Sequence, residues 1–171
     1  MSKTALITID LQPGLKALSH YVFRQNPADF DTLLQQNQLA VNWFTQQHLP
    51  VFNLVIQPPL LPRRFSQSLL ITTLNDSSCL LGRSKPSAFS QPNLIKRLRQ
   101  AKVQTVVITG LTTDNGIAKT VADAEGYGLT TIVISDATLA RTPALQAANL
   151  AKFHKVCTWT EFLATQPKSH S

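Results

Sequence analysis

The sequence predicts a single α/β domain in three layers, with a Rossmann-like parallel sheet carrying helices on both faces. Three observations lead there. Short runs rich in β-branched residues alternate with longer stretches of helical periodicity, the pattern that builds a parallel sheet. The chain has 171 residues, 43% apolar and only 15% charged, which suits one buried core and one domain. No internal repeat, linker or low-complexity stretch divides residues 1–171.

ThrAlaLeuIleThrIle (4–9) reads as the first strand and ends at Asp10. LeuGlnProGly (11–14) reads as a turn, on its Pro–Gly pair. Residues 30–47 predict an amphipathic helix, with Leu33, Leu34, Ala40, Val41 and Phe44 at helical spacing between glutamines. HisLeuPro (48–50) stops it, and 50–56 reads as the second strand. Three prolines exclude a helix over 57–64, while 66–73 could be a short helix or a lid. Residues 78–81 could form a short strand, and 82–90 a loop. A basic helix over 92–101 leads to the clearest strand, ThrValValIleThrGly (105–110). A helix over 114–125 is closed by GlyTyrGly (126–128) and followed by a strand over 130–134. SerAspAla (135–137), a helix over 143–152, a short strand over 155–158 and a helical turn over 160–165 complete the pattern, with a frayed tail beyond.

Composition narrows the function. Lys and Arg total 16 against 9 Asp and Glu, a net charge of +7, which raises nucleic-acid binding as a class. Lys96, Arg97, Arg99 and Lys102 cluster on one helix, but no aromatic residues interleave them as a stacking platform requires. They read as a solvated face, and no nucleic-acid partner is expected. No GxGxxG or GxxxxGK loop supports a nucleotide cofactor, and the histidines at 20, 48, 154 and 170 form no HxxxH. No cofactor or metal is expected. Cys79 and Cys157 lie far apart and read as reduced cytosolic thiols. No secretory signal and no run near ~18 apolar residues is present, so a soluble cytoplasmic protein without membrane partners is expected. The sparse surface charge leaves room for an apolar homo-oligomer interface.

Ligands of parallel α/β sheets bind outside the carboxyl ends of the strands. That rule selects the loops 10–14, 82–90 and 110–116. Asp10 stands where an apolar strand stops. It is either a partly desolvated carboxylate suited to proton transfer or a turn or cap residue. Arg83 and Lys85 are the cations of the second loop. Either could pair with Asp10 or hold an anionic substrate, or both could be solvated. GlyLeuThrThrAspAsnGlyIle (110–117) is a strand-to-helix turn. Thr113 or Asp114 could cap the helix, with Asn115 and Gly116 in its first turn. Its N–H groups could hold an anion or a developing oxyanion, or belong to a plain capped helix. Asp136 reads as a cap or supporting residue.

Four stretches together resemble one family. AlaLeuIleThrIleAspLeuGln (5–12) looks like its opening strand, which ends in a catalytic Asp followed closely by Gln. ProSerAlaPhe (86–89) resembles its Ser-Ala-Phe loop. ValValIleThrGlyLeuThrThrAspAsnGlyIle (106–117) is similar to its nucleophile turn, Gly-x-x-Thr-Asp-x-Cys-Val. AspAlaGluGlyTyrGlyLeuThrThrIleValIleSerAspAla (123–137) matches its Leu-Gly-Tyr stretch ending in Asp-Ala. The chain resembles the isochorismatase-like hydrolases, which include the nicotinamidases, over most of 3–165.

The resemblance implies a parallel sheet flanked by helices, a homo-oligomer, and an Asp–Lys–Cys triad in which Cys attacks an amide carbonyl. It makes Asp10 the acid–base residue. Gln12, Ser87, Phe89, Thr112, Thr113 and Asn115 are expected to bind substrate. The Cys position holds Gly116, so no thioester can form there and amide hydrolysis of the family type is disfavoured. True isochorismatases look alike in this respect: they carry Gly there and cleave a vinyl ether, with Asp handling protons and water attacking. The family Lys, four residues before the Ser of Ser-Ala-Phe, falls on Arg83. Lys85 lies two residues before Ser87 and would need a shorter loop to take that place. Two functions remain open. One is a hydrolase of small anions using Asp10, Lys85 or Arg83, and the backbone at Gly116. The other is an inactive member serving as a ligand-binding or assembly protein. The cations separate them. An ammonium beside Asp10 keeps acid–base chemistry open, whereas both cations turned to solvent would favour the inactive protein.

Overall fold

The computed structural model describes residues 3–23, 26–57, 67–70 and 78–167. Six parallel strands form one sheet in the order β3-β2-β1-β4-β5-β6. They are β1 (Lys3–Ile9), β2 (Val51–Ile56), β3 (Ser78–Arg83), β4 (Val103–Leu111), β5 (Thr130–Leu139) and β6 (Val156–Cys157). The helices are α1 (Pro13–Tyr21), α2 (Pro27–Gln46), α3 (Pro92–Gln100), α4 (Gly116–Gly126), α5 (Pro143–Leu150) and α6 (Trp159–Ala164). Strand order reverses between β1 and β4, and a crevice opens at the carboxyl ends of such a pair. The sequence places Asp10 and Gly116 on its two sides.

Side chains alternate across the central strand. Ala5, Ile7 and Ile9 enter a core with Leu94 and Leu98 of α3 and Ile117, Val121 and Ala124 of α4. Leu6 joins the opposite core with Phe30, Leu33 and Phe44 of α2 and Trp159 and Phe162 of α6. Phe44 and Phe162 stack there with ring centroids 6.0 Å apart. These two cores are what make the architecture three-layered.

The helix starts follow from local chemistry. Proline opens α2, α3 and α5, where its missing N–H costs nothing, and Asn26, Gln91 and Thr142 cap them through their side chains. Thr158 and Glu161 form a capping box on α6. At α4 the capping residue is Asn115, whose side chain makes no cap hydrogen bond.

Several boundaries differ from the sequence reading. Leu11–Gly14 is not a free turn, because Pro13 opens α1. Pro at the first helical position has the φ a helix needs, so the Pro–Gly pair starts an element here instead of ending one. β5 runs on through Ser135–Ala137 to Leu139, because its pairing with β4 shifts register between Ile108 and Gly110 and then resumes at Thr138. The proline-rich stretch after Gln57, most of 66–73 and the tail from 168 lie outside the described residues. Residues 67–70 are not helical. Leu69 donates its N–H to the Leu11 carbonyl at 2.8 Å, so this short segment lies against the end of β1.

Candidate active site

The apolar run of β1 ends at Ile9, and Asp10 turns out of the strand with φ +61°. Its N–H still donates to the Leu54 carbonyl at 2.8 Å, which anchors it to β2. The residue is 7% exposed. Arg83, the last residue of β3, stands two strands away across β2, a span of roughly 10 Å. Its long side chain crosses that gap. One terminal nitrogen donates to Asp10 Oδ2 and the other to the Lys85 carbonyl. Asp10 Oδ1 and Arg83 Nε are buried without a partner among the described residues. Burial pushes the Asp10 carboxyl up to about 6, although the charge and hydrogen bond of Arg83 pull the other way.

The structure thus resolves the choice between the two cations by position. Arg83 is the partner of Asp10, and it is the residue four before Ser87 that the resemblance singles out. Lys85 is exposed and reaches the site only through its backbone carbonyl, so its ammonium is not the one beside Asp10. The strand explains this. β3 continues through Gly82 and Arg83, which fixes Arg83 in register with Ile56, whereas Lys85 falls in the bend that follows.

A cleft of about 360 Å³ lies beside the carboxylate, lined by Asp10, Leu15, Phe23, Ile56, Leu111, Thr112, Asp114, Asn115, Gly116 and Arg141. Gly116 sits where β4 hands over to α4. A methyl group added there would meet the Leu111 carbonyl at 3.0 Å, Ile9 Cγ2 at 3.4 Å and the Pro86 carbonyl at 3.5 Å. The backbone itself therefore forms that part of the cleft wall. The turn is tied to the Ser-Ala-Phe loop by one hydroxyl: Thr120 Oγ1 donates to the Gly116 carbonyl at 2.7 Å and accepts from Ala88 N–H at 2.9 Å.

The expected substrate-binding residues divide. Thr112 and Asn115 line the cleft. The other four do not, and each has a physical reason. Gln12 is 3% exposed and its amide pairs both ways with the Ile56 backbone, which extends the edge of β2. Ser87 caps the 3₁₀ turn Ala88–Ser90. Phe89 is a core residue packed on Tyr127, ring centroids 5.3 Å apart. Thr113 is fully buried, with its hydroxyl donating to Gln146 Oε1 at 2.8 Å. Neither Thr113 nor Asp114 caps α4. Asp136 accepts from the Trp159 N–H at 2.8 Å and so supports the start of α6.

Sequence reasoning missed a second acid–arginine pair in the same cleft. Arg141 Nε donates to Asp114 Oδ2 at 2.5 Å, with the Arg141 side chain 52% exposed and that of Asp114 5%. Burial would raise the Asp114 carboxyl, but hydrogen bonds from Arg141 and Thr112 outweigh it and hold the group below its ordinary value. The strand-end rule would have found it only with the true end of β5 at Leu139, which Arg141 follows by two residues. Among the described residues no three His, Cys, Asp or Glu side chains come together as a metal site, and no helix is long and apolar enough to cross a membrane.

A parallel sheet with a buried carboxylate and a glycine turn on either side of the strand-order reversal defines a doubly wound α/β fold with its cleft at the switch point. The isochorismatase domain model matches residues 4–161, and the chain belongs to that family of isochorismatase-like hydrolases. An isochorismatase-like hydrolase from Alkaliphilus metalliredigens shares the fold with a TM-score of 0.76 at 19% identity, covering 95% of this chain and 97% of that one. A nicotinamidase from Staphylococcus aureus superposes with a TM-score of 0.76 at 16% identity over 91% and 98% of the two chains. An isochorismatase family protein from Burkholderia thailandensis gives 0.71 at 21% identity over 91% of each. No curated protein matches the chain by sequence.

Proposed function

We propose that this chain is a cytoplasmic hydrolase that cleaves a vinyl ether in a small anionic metabolite, without a covalent enzyme intermediate. One observation carries the reading. A buried carboxyl at a strand end has one oxygen held by Arg83 and the other without a partner among the described residues, beside a cleft walled by glycine backbone. A carboxyl that titrates at about 6 is matched to proton transfer near neutrality.

In this reading Asp10 donates its proton to the terminal vinylic carbon. The ether oxygen shares the resulting positive charge with its carbon as an oxocarbenium ion. Water adds to that carbon and returns a proton to Asp10, and the hemiketal then collapses to a ketone and an alcohol. Arg83 holds the carboxylate in place whenever it is charged. Gly116 supports the reading because it supplies no nucleophile and leaves backbone in the wall. The free thiols of Cys79 and Cys157 support a reducing compartment. We place the chain in a homo-oligomer, a reading supported by the exposed Tyr21 and Val22.

The second reading, an inactive ligand-binding or assembly protein, is favoured by Arg83, since a guanidinium does not give up a proton as a lysine can. Turnover of vinyl-ether carboxylates in D₂O separates the two. The hydrolase places one deuterium in the methyl group of the ketone, and Asp10→Asn loses about 10²-fold or more of the rate. No turnover across the panel, or an unimpaired Asp10→Asn, sinks the hydrolase reading.

A further inference from the structure

Arg141 stands at a junction. It and Phe23 line both the cleft of Asp10 and a second cavity of about 540 Å³. That neighbour is walled by Leu139, Ala140, Pro143, Ala147 and Leu150, with Asn26, Asp29, Thr142 and Gln146 as its polar lining. Among the described residues, Arg141 is held by one acid, Asp114. Its Nε donates to Asp114 Oδ2 at 2.5 Å and its backbone N–H approaches Oδ1 at 3.4 Å. Guanidinium offers five N–H donors in a flat fork. The four on the terminal nitrogens have no partner among the described residues. Asp114 therefore orients the fork without using it up. A half-exposed, oriented fork at the edge of a cleft is the geometry that takes a carboxylate through two parallel hydrogen bonds. Beyond it most of the wall is apolar, from Leu139 and Ala140 to Ala147 and Leu150.

We propose that Arg141 is the specificity-determining residue of the cleft, gripping the carboxylate of a substrate whose apolar end occupies the second cavity. The substrate class is thus a carboxylic acid bearing an apolar substituent. The proposal rests on the hydrolase reading for calling the ligand a substrate, but its test reads binding. Asp114 is a positioning residue for the fork.

The test is calorimetric titration of the full chain with 3-phenylpropanoate, its amide and acetate. Wild type binds 3-phenylpropanoate about tenfold or more tighter than the amide, as a charge-assisted fork requires. Arg141→Gln abolishes that preference, and Arg141→Lys, which keeps the charge but not the fork, restores part of it. Ala147→Trp, which fills the second cavity, weakens 3-phenylpropanoate and spares acetate. Asp10→Asn keeps the acid preference while losing turnover, so failure of the chemistry and failure of the anion site are separate results. Equal affinity for acid and amide overturns the proposal. So does a preference that survives Arg141→Gln in a folded variant, and so does the lack of saturable binding of the acid to wild type. Acetate binding as tightly as 3-phenylpropanoate overturns the assignment of the second cavity.

Discussion

The cleft holds two pairs of the same chemistry in different surroundings. Asp10 and Arg83 sit at the centre with side chains 10% and 1% exposed, whereas Arg141, the partner of Asp114, is 52% exposed. Both acids accept from a guanidinium, yet their carboxyls shift in opposite directions, up to about 6 for Asp10 and below the ordinary value for Asp114. Hydrogen bonding decides the sign. Both carboxyls are buried, 10% and 5% exposed, and desolvation is the largest effect on each. Asp10 has Arg83 alone to offset it, so its charged form stays disfavoured. Asp114 is held by Arg141, Thr112 and its own backbone N–H, which together outweigh burial. In the proposed mechanism the same pair serves as a proton carrier in one place and as a fixed charge in the other.

The sharpest way to break this contrast is to neutralise each acid. Asp10→Asn should lower the turnover number about 10²- to 10⁴-fold. Asp114→Asn should leave the turnover number near wild type and raise KM, because it loosens only the Arg141 fork. Steady-state kinetics on one vinyl-ether carboxylate checks both. The rate of the wild type should fall as pH rises through about 6, since the acid form of Asp10 is the reactive one.

Removing the buried cation comes next in size. Arg83→Met leaves Asp10 buried and unpaired, which should cost about 3 kcal/mol at pH 8. The cost should shrink at pH 5, where Asp10 is protonated and no charge is stranded. In the wild type, the folded state raises the Asp10 pKa from 3.8 to about 6 and so binds a proton that the unfolded chain has released. That contribution to stability is complete below 3.8 and is lost as pH rises through about 6. Asp114 has the opposite sign: its contribution is present above 3.8 and is lost as pH falls through its lowered value. Urea denaturation at pH 8 and pH 5 measures the Asp10 contribution, and continuing the series below pH 3.8 reads that of Asp114.

A smaller effect is expected at Gly116. Gly116→Ala brings a methyl to 3.0 Å from the Leu111 carbonyl, and backbone yields less readily than a side-chain tip. The expected loss is about 1 kcal/mol, read as a lower melting temperature. The smallest is Arg141→Gln: the guanidinium is half-exposed and the buried Asp114 keeps its Thr112 and backbone hydrogen bonds, so the loss should be about 1 kcal/mol or less. A large loss there would erase the distinction between centre and mouth.

Much of this was legible in the chain. The run ThrValValIleThrGly is a strand by composition, and the strand-end rule placed Asp10, Thr112, Asn115 and Gly116 at one cleft. The choice between Arg83 and Lys85 was not legible, because it turns on where β3 stops, and two residues of extra pairing decide which cation is inward. Phe89 and Gln12 were misassigned for a related reason. A motif gives spacing, but burial and a backbone partner decide whether a side chain faces ligand or core. Arg141 was overlooked because β5 reads as ending before Ser135, so the true strand end lay outside the loops that the rule selected.

The central claim is that the hydrogen bonds on each buried carboxyl separate two like pairs in one cleft. Carboxyl-detected NMR titration of Asp10 and Asp114 in the wild type tests it most directly. The account predicts that Asp10 titrates at about 6 and Asp114 below 3.8. Asp10 titrating at or below 3.8, in step with Asp114, would contradict it.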